Sequence, residues 1–356
     1  MGPHLISFLD QAGCWFLRSG IQESNGGVER FYRSDSATSA AISTEITGYA
    51  ASALAYLHSR TGQQEYLDAA VRAARYLTRQ AWDSAASTFP FEPGSKRAYF
   101  FDLGIIVRGL LSVWRATGES EFRARAEEAA LSLAFDFLGD GFFHPVISLP
   151  DKQPLPQEPR WSRKPGCYQL KSALAWRDIG DPHARQLFHA AVGFALADHE
   201  SFLEEENDRE KRMDRLHAYC YFLEALLFVA GNERQDVNRA LASGISRTAR
   251  LLCEIAPLFE RSDVNAQLLR VRLIAHHLGA VPLDQSAAQE EALRTESFQV
   301  LGAAAPRVRG GFWFGRKGAQ LLPFSNPVST AFCAQALALW HDHQSQRWSF
   351  ELAQLI

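Results

Sequence analysis

Residues 43–62 read STEITGYAASALAYLHSRTG. Glu45 and Tyr49 stand at the front of an apolar, small-residue run that carries almost no charge and closes on Thr-Gly. A helix that is apolar nearly all round has to be enclosed. The residues after the glycine, QQEYLDAAVRAARYL, set charge on one face and alanine or leucine on the other, which is the pattern of a helix on the outside. Between the two, Gly62 takes the position at which a left-handed residue ends a helix. The stretch is the first half of a hairpin: inner helix, tight turn, outer helix.

The hairpin recurs. Residues 113–134, VWRATGESEFRARAEEAALSLA, nearly copy the turn at Gly62, and weaker copies follow around Gly180, Gly231 and Gly279. A sixth inner helix is offered by NPVSTAFCAQALALWHDH, residues 326–343, and its outer partner by the N-terminal HLISFLDQAGCWFLRSG, residues 4–20. Pairing the two ends closes a ring. A spacing of about fifty to sixty residues is long for an open solenoid, the extra length lying in loops before the inner helices. The expected fold is all-α, a single-domain closed (α/α)6 toroid over residues 1–356, with its long loops on one face.

Composition agrees with a globular chain. Of 356 residues 47% are apolar and 22% charged, and the net charge of -3 provides no basic field for nucleic acid or anionic lipid. The five cysteines are scattered without CxxC spacing, which suits a reducing compartment. The N-terminus has no basic segment followed by a long apolar core, and no window reaches the length of a membrane span. A cytoplasmic location is expected, with no nucleic-acid or membrane partner. Oligomeric state is not legible.

In such a ring the first turns of the inner helices line the floor of one opening beneath the long loops. Those turns hold Glu45 and Tyr49, Tyr99 and Asp102, Tyr168 and Gln169, then Asp214, His217 and Tyr219, then Asp263 and Gln267, and finally Asn326 and Ser329. Helix capping competes as an explanation, because an N-terminal carboxylate or amide stabilises a helix by about 0.5–2 kcal/mol. Capping explains Asp214 and Asp263 as well as chemistry does, and Asn326 before Pro327 is a good cap. Glu45 and Asp102 resist that explanation, since aromatic residues accompany them and their helices are otherwise nearly uncharged. His217, on one face with Asp214 and Tyr221, is the best general-base candidate, although a core histidine bonded to a carbonyl reads equally well. His144 in a long loop ranks second. His276 and His277 close an inner helix at the opposite end, where the dipole accounts for them.

No HExxH, CxxC, GxSxG, P-loop or GxGxxG is present, so metal sites, acyl transfer, phosphoryl transfer and dinucleotide use all fall, and no cofactor is expected. Aromatic residues crowd the long loops instead. Tyr99, Trp161, Trp313 and several phenylalanines interleave with Arg97, Arg160, Arg163, Arg309 and Arg316. Flat rings suit the apolar faces of sugars, and arginine suits a carboxylate or sulfate carried on them. Some of these rings simply pack the loops down.

The six hairpins, together with GGFWFGRKG at residues 310–318, resemble the six-hairpin glycosidase-like superfamily. Its α/α toroids include unsaturated glucuronyl hydrolases, N-acylglucosamine epimerases and toroidal polysaccharide lyases. The resemblance covers essentially the whole chain and implies carbohydrate processing. A glucuronyl hydrolase implies an inner-helix aspartate as acid/base, a position matched by Asp102 or Asp214. The paired histidines of the epimerase type and the Asn-His-Tyr-Arg set of the lyases find no match in register. The leading expectation is a glycoside hydrolase or lyase acting on an oligo- or polysaccharide, uronic-acid-containing chains included. Glu45, Asp102 and His217 are its catalytic groups, and Tyr49, Tyr99, His144, Trp161, Tyr168, Asp214, Tyr219, Gln267, Trp313, Arg316 and Asn326 contact the sugar. A noncatalytic carbohydrate-binding or assembly protein of polysaccharide production is the alternative. A terpenoid-type cyclase is disfavoured by the lack of an Asp-rich run.

Overall fold

The computed structural model of the protein describes residues 3–204, 206–231, 233–302 and 305–356, with side chains from residue 8 onward. In chain order the elements are α1 (Pro3–Arg18), β1 (Tyr32–Arg33), β2 (Thr38–Ser39), α2 (Thr44–Thr61), α3 (Gln64–Tyr76), β3 (Arg97–Tyr99), α4 (Phe100–Thr117), α5 (Ser120–Phe135) and β4 (Val146–Ser148). There follow α6 (Leu170–Ile179), α7 (Pro182–Phe202), α8 (Arg209–Leu226), α9 (Gln235–Ile255), β5 (Phe259–Arg261), α10 (Ser262–His277), α11 (Gln285–Glu296), β6 (Gly315–Lys317), β7 (Gln320–Leu321), β8 (Phe324–Ser325) and α12 (Pro327–Gln344). Two compact units are formed. One contains Gly20–Phe31 and Ser39–Ala195 with Ile356, hence α2 to α6 and most of α7; the other contains α1, Tyr32–Thr38 and Leu196–Leu355, hence α8 to α12.

In the α2–α6 unit, α2 packs on α4 and α4 on α6, with α3 and α5 outside them. Inner and outer helices differ as their sequences require. In α4, Phe100 through Leu111 are all buried, whereas α3 buries Tyr66, Ala69, Ala70, Ala73, Ala74 and Tyr76, a single stripe at helical spacing. The inner helices touch backbone to backbone because three glycines remove the side chains between them. A Cβ on Gly104 would stand 2.4 Å from Ser172 Cα in α6, and one on Gly109 would stand 2.4 Å from the carbonyl oxygen of Gly48 in α2. Gly62 and Gly118 end α2 and α4 in left-handed conformation, at φ 72° and 73°.

In the α8–α12 unit, α10 packs on α8 and α12, and α9 and α11 lie against their inner partners. Helix α1 packs on α12, so the two ends of the chain supply the sixth hairpin. Its Trp15 is 1% exposed and donates from Nε1 to the Arg307 carbonyl at 2.9 Å. Residues Ser262 to Ala275 of α10 are buried without interruption, charged ones included. Buried charge persists only when paired. Arg270 accordingly meets Glu224 of α8 and donates to Gln335 of α12 at 2.9 Å, while Arg272 bonds Glu291 of α11 at 2.7 Å. The glycine turn differs between α8 and α9: α8 stops at Leu226 and Gly231 has φ 155°, outside the left-handed helical region.

The strands are two or three residues long and lie in the loops that precede inner helices. β3 pairs antiparallel with β4 in the register Arg97↔Ser148, Ala98↔Ile147, Tyr99↔Val146. β5 pairs with β6 as Phe259↔Lys317, Glu260↔Arg316 and Arg261↔Gly315, β6 with β7, and β1 with β8. Each ladder fixes the entry to an inner helix. No helix among the described residues is long and apolar enough to cross a membrane.

Candidate active site

The first turns of α2 and α4 each carry one carboxylate, Glu45 and Asp102. Helix α2 is started by Ser43, whose hydroxyl accepts from the Ile46 amide, and Thr44 donates to the carbonyls of Pro90 and Phe91 at 2.9 and 3.0 Å. Helix α4 starts directly from β3, with the Phe100 amide on the Pro145 carbonyl at 3.0 Å. Neither carboxylate is the cap of its helix. Asp102 is 6% exposed, and its Oδ2 has no hydrogen-bond partner among the described residues.

A helix N-terminus alone lowers a carboxyl pKa. Burial overrides it here. It raises Glu45 to about 7 against the opposing charge of Arg30. Asp102 is pushed well above the usual carboxylate range, first by burial and then by the negative charge of Glu45, with Arg30 again opposing. A carboxyl that titrates at about 7 and a neighbour whose pKa its charge raises can divide acid and base work.

An aromatic and basic strip adjoins this pair. The Arg30 guanidinium lies 4.8 Å from the Phe91 ring centroid, Phe91 is 5.1 Å from Tyr99, and the Arg163 guanidinium is 5.1 Å from the Tyr99 ring. Tyr99 precedes Asp102 by one turn, and Tyr49 is buried one turn after Glu45. Trp161 meets Tyr168 edge-on at 5.0 Å, and the Tyr168 hydroxyl donates to the Lys164 carbonyl at 3.0 Å. Gln169 accepts from the Gly166 amide at 3.1 Å and donates to the Phe143 carbonyl at 3.0 Å, tying the end of the long loop to the start of α6. His144 packs within its own loop, edge-on to Phe142 at 4.9 Å.

The second constellation lies wholly in the α8–α12 unit. Arg261, the last residue of β5, bonds Asp214 at 2.7 Å and Asp263 through two nitrogens at 2.9 and 2.7 Å. Its guanidinium also lies 4.6 Å from the Phe314 ring. The charge of Arg261 and a hydrogen bond from Ser329 help to hold the buried Asp263 below the usual carboxylate range, overcoming a burial effect in the other direction. His217 Nδ1 is 2.7 Å from Gln267 Oε1 and 3.8 Å from Asp263, and the Tyr221 hydroxyl is 2.9 Å from Nε2. With Gln267 accepting and Tyr221 donating, this network assigns the proton to Nδ1. Burial, with Arg261 second, lowers the His217 pKa to about 4, so the ring is neutral at pH 7 and both nitrogens are engaged. The amide nitrogen of Gln267 is buried without a hydrogen-bond partner among the described residues.

The remaining candidates of this unit make identifiable bonds. Tyr219 meets Nδ1 of His199 on α7 at 3.0 Å. Arg316 on β6 bonds Glu260 across the ladder at 2.6 Å, and Asn326 caps α12 by accepting from the Ser329 amide at 2.7 Å. Trp313 bridges by its backbone to Ser325. The structure therefore gathers Glu45, Asp102, Tyr49 and Tyr99 in one unit, and Asp214, His217 and Gln267 in the other. Sequence reasoning missed Arg30 and Arg261. Arg261 left a faint signal, a basic residue just ahead of an inner helix whose second residue is aspartate. Among the described residues, no three His, Cys, Asp or Glu side chains are grouped so as to hold a metal ion.

The helical order and these loop ladders define an α/α-toroid fold, and solved structures share it. The chain is similar to cellobiose 2-epimerase from Spirochaeta thermophila, with a TM-score of 0.69 and 13% identity over 96% of this chain and 98% of that one. It is also similar to cellobiose 2-epimerase from Bacillus thermoamylovorans, with a TM-score of 0.70 and 11% identity over 96% and 100%. A family 76 glycoside hydrolase from a bovine Bacteroides thetaiotaomicron strain has a TM-score of 0.62 and 10% identity over 95% of this chain and 78% of that one. No protein-family model matches the sequence, and no curated protein matches it.

Proposed function

We propose that the protein is a carbohydrate-active enzyme, a glycoside hydrolase or lyase, in which Glu45 and Asp102 share the acid and base work. The observation that carries this reading is the pair of carboxyls at the starts of two adjacent inner helices, both raised by burial and Asp102 further by the charge of Glu45. A proton donor at the leaving oxygen and a carboxylate that activates water or removes a proton from the sugar are the two functions such cleavage requires. Tyr99, which feels the charge of Asp102, supplies a ring and a hydroxyl next to the pair. The fold relatives named for cellobiose epimerisation and glycoside hydrolysis support a saccharide as the substrate. A hydrolase or lyase fits better than an epimerase of the histidine-pair kind, because His217 is the sole histidine in the first three turns of any inner helix here. Its neutral, doubly bonded ring suits the holding of Gln267 more than proton transfer. The described cysteines form no disulfide, which supports a cytoplasmic site of action.

The test is a screen of neutral and acidic oligosaccharides for new reducing ends, which report hydrolysis, and for unsaturated products, which report elimination. On the substrate so found, Glu45→Gln and Asp102→Asn each lower turnover by about a hundredfold or more while the protein stays folded. Unchanged turnover in the double variant defeats the assignment. Tight binding without turnover over long incubation supports a carbohydrate-binding protein instead.

A further inference from the structure

We propose that the strip formed by Arg30, Phe91, Tyr99 and Arg163 is a subsite for the carboxylate or sulfate of an acidic saccharide, held beside the Glu45–Asp102 pair. The inference rests on the saccharide reading above and narrows it to an anionic substrate.

The argument begins with Arg163. Its side chain is 12% exposed, yet its ion pair with Glu158 is loose at 3.6 Å, and Glu158 is itself 55% exposed. The guanidinium makes no hydrogen bond to another described residue and instead lies over the Tyr99 ring. A sheltered guanidinium with five donors and so weak a partner is poised for a planar, doubly bonding anion. At the other end of the strip, Arg30 is held by Glu92 at 3.3 Å, and its flat face covers Phe91. Arg97 on β3 and Arg160 beside Trp161 are exposed, and neither side chain forms an ion pair or hydrogen bond among the described residues.

Four arginines thus stand against Glu92 and Glu158 around two rings tilted at 44° to each other. The excess positive charge opposes the negative charge of the half-ionised acid pair, which would otherwise repel an acidic sugar. The Tyr99 and Trp161 rings offer flat apolar faces of the kind that sugar rings cover. Arg316, the corresponding candidate in the other unit, is neutralised by Glu260 at 2.6 Å and offers no such excess.

The experiment measures binding of trigalacturonic acid, its methyl ester, a sulfated chondroitin disaccharide and cellotriose to the full chain, at low and high salt. The expected result is that at least one acidic probe binds about tenfold more tightly than the uncharged probes, and that salt erodes the difference. Comparison of the carboxylated and sulfated probes tells which anion the subsite takes. Arg163→Gln and Arg160→Ala each reduce the preference about fivefold or more with the melting temperature retained. Arg160 is exposed, so its variant carries the test if Arg163→Gln fails to fold. Equal binding of acid and ester, or a preference untouched in both variants, overturns the subsite and leaves the saccharide reading standing. If no saccharide of either kind binds the wild-type protein, both readings fall.

Discussion

Glu45 and Asp102 sit where a helix dipole favours their charged forms, and burial wins at both. On the proposed assignment, turnover has a limb near the Glu45 value of about 7. Glu45→Gln is expected to abolish that limb in a pH–turnover profile. A stability effect follows from the same shift. The folded pKa of Glu45 is raised from 4.5, so its contribution is fully present below 4.5 and is lost as pH rises through about 7. Glu45→Gln should therefore melt higher than wild type in mildly alkaline buffer, with the difference vanishing in acid. His217 has the opposite sign: its folded pKa is lowered from 6.5 to about 4, so stability falls as pH drops through that window. His217→Gln should flatten the acid limb of a melting profile, and an unchanged limb would remove His217 as its cause. Glu45 and Asp102 are visible in the sequence because each stands out at the start of a nearly uncharged helix, and His217 because it shares a helical face with Asp214 and Tyr221. Arg30 and Arg261 are not, because they sit in irregular backbone or a three-residue strand, where no period marks which side chain turns inward.

Two glycines that look alike in the sequence act for different reasons. Gly118 has φ 73° with nothing within 4 Å of the point a methyl group would occupy, so Gly118→Ala meets only backbone strain, about 1 kcal/mol. Gly104 meets Ser172 at 2.4 Å, so Gly104→Ala must part α4 from α6 and should cost about 3 kcal/mol. Chemical denaturation of the two variants distinguishes them, and equal losses would refute the close contact. The turn glycines are readable from the hairpin repeat, whereas Gly104 appears only as one small residue among several. The short strands are unreadable because two or three residues cannot show an alternating period, and the expectation of a left-handed cap at Gly231 fails because α8 ends four residues earlier than the glycine needs.

For the molecule as a whole, the pairing of the first helix with the last is legible from an odd inner helix that lacks a partner. Trp15→Ala tests how α1 is seated, with an expected loss of about 3–5 kcal/mol, because that ring is 1% exposed and lies against the Arg307 carbonyl and Gly311. A loss below about 1 kcal/mol, as for an exposed residue, would contradict the packing. Likeness to solved toroids at 10–13% identity has the same origin as the legibility of the hairpins: the alternation of enclosed and half-wet helices survives when individual residues do not. What the repeat pattern leaves unspecified is the loops, whose lengths differ and whose aromatic residues can either pack or bind. The loop ahead of α6 is pinned at Ser148 by its ladder to Arg97 and at Gly166 by Gln169, and Trp161 and Arg163 lie between the pins. On the proposed reading such a segment is an exchangeable cartridge: a randomised library can rewrite the residues between those anchors and retune ligand preference without touching Glu45 or Asp102.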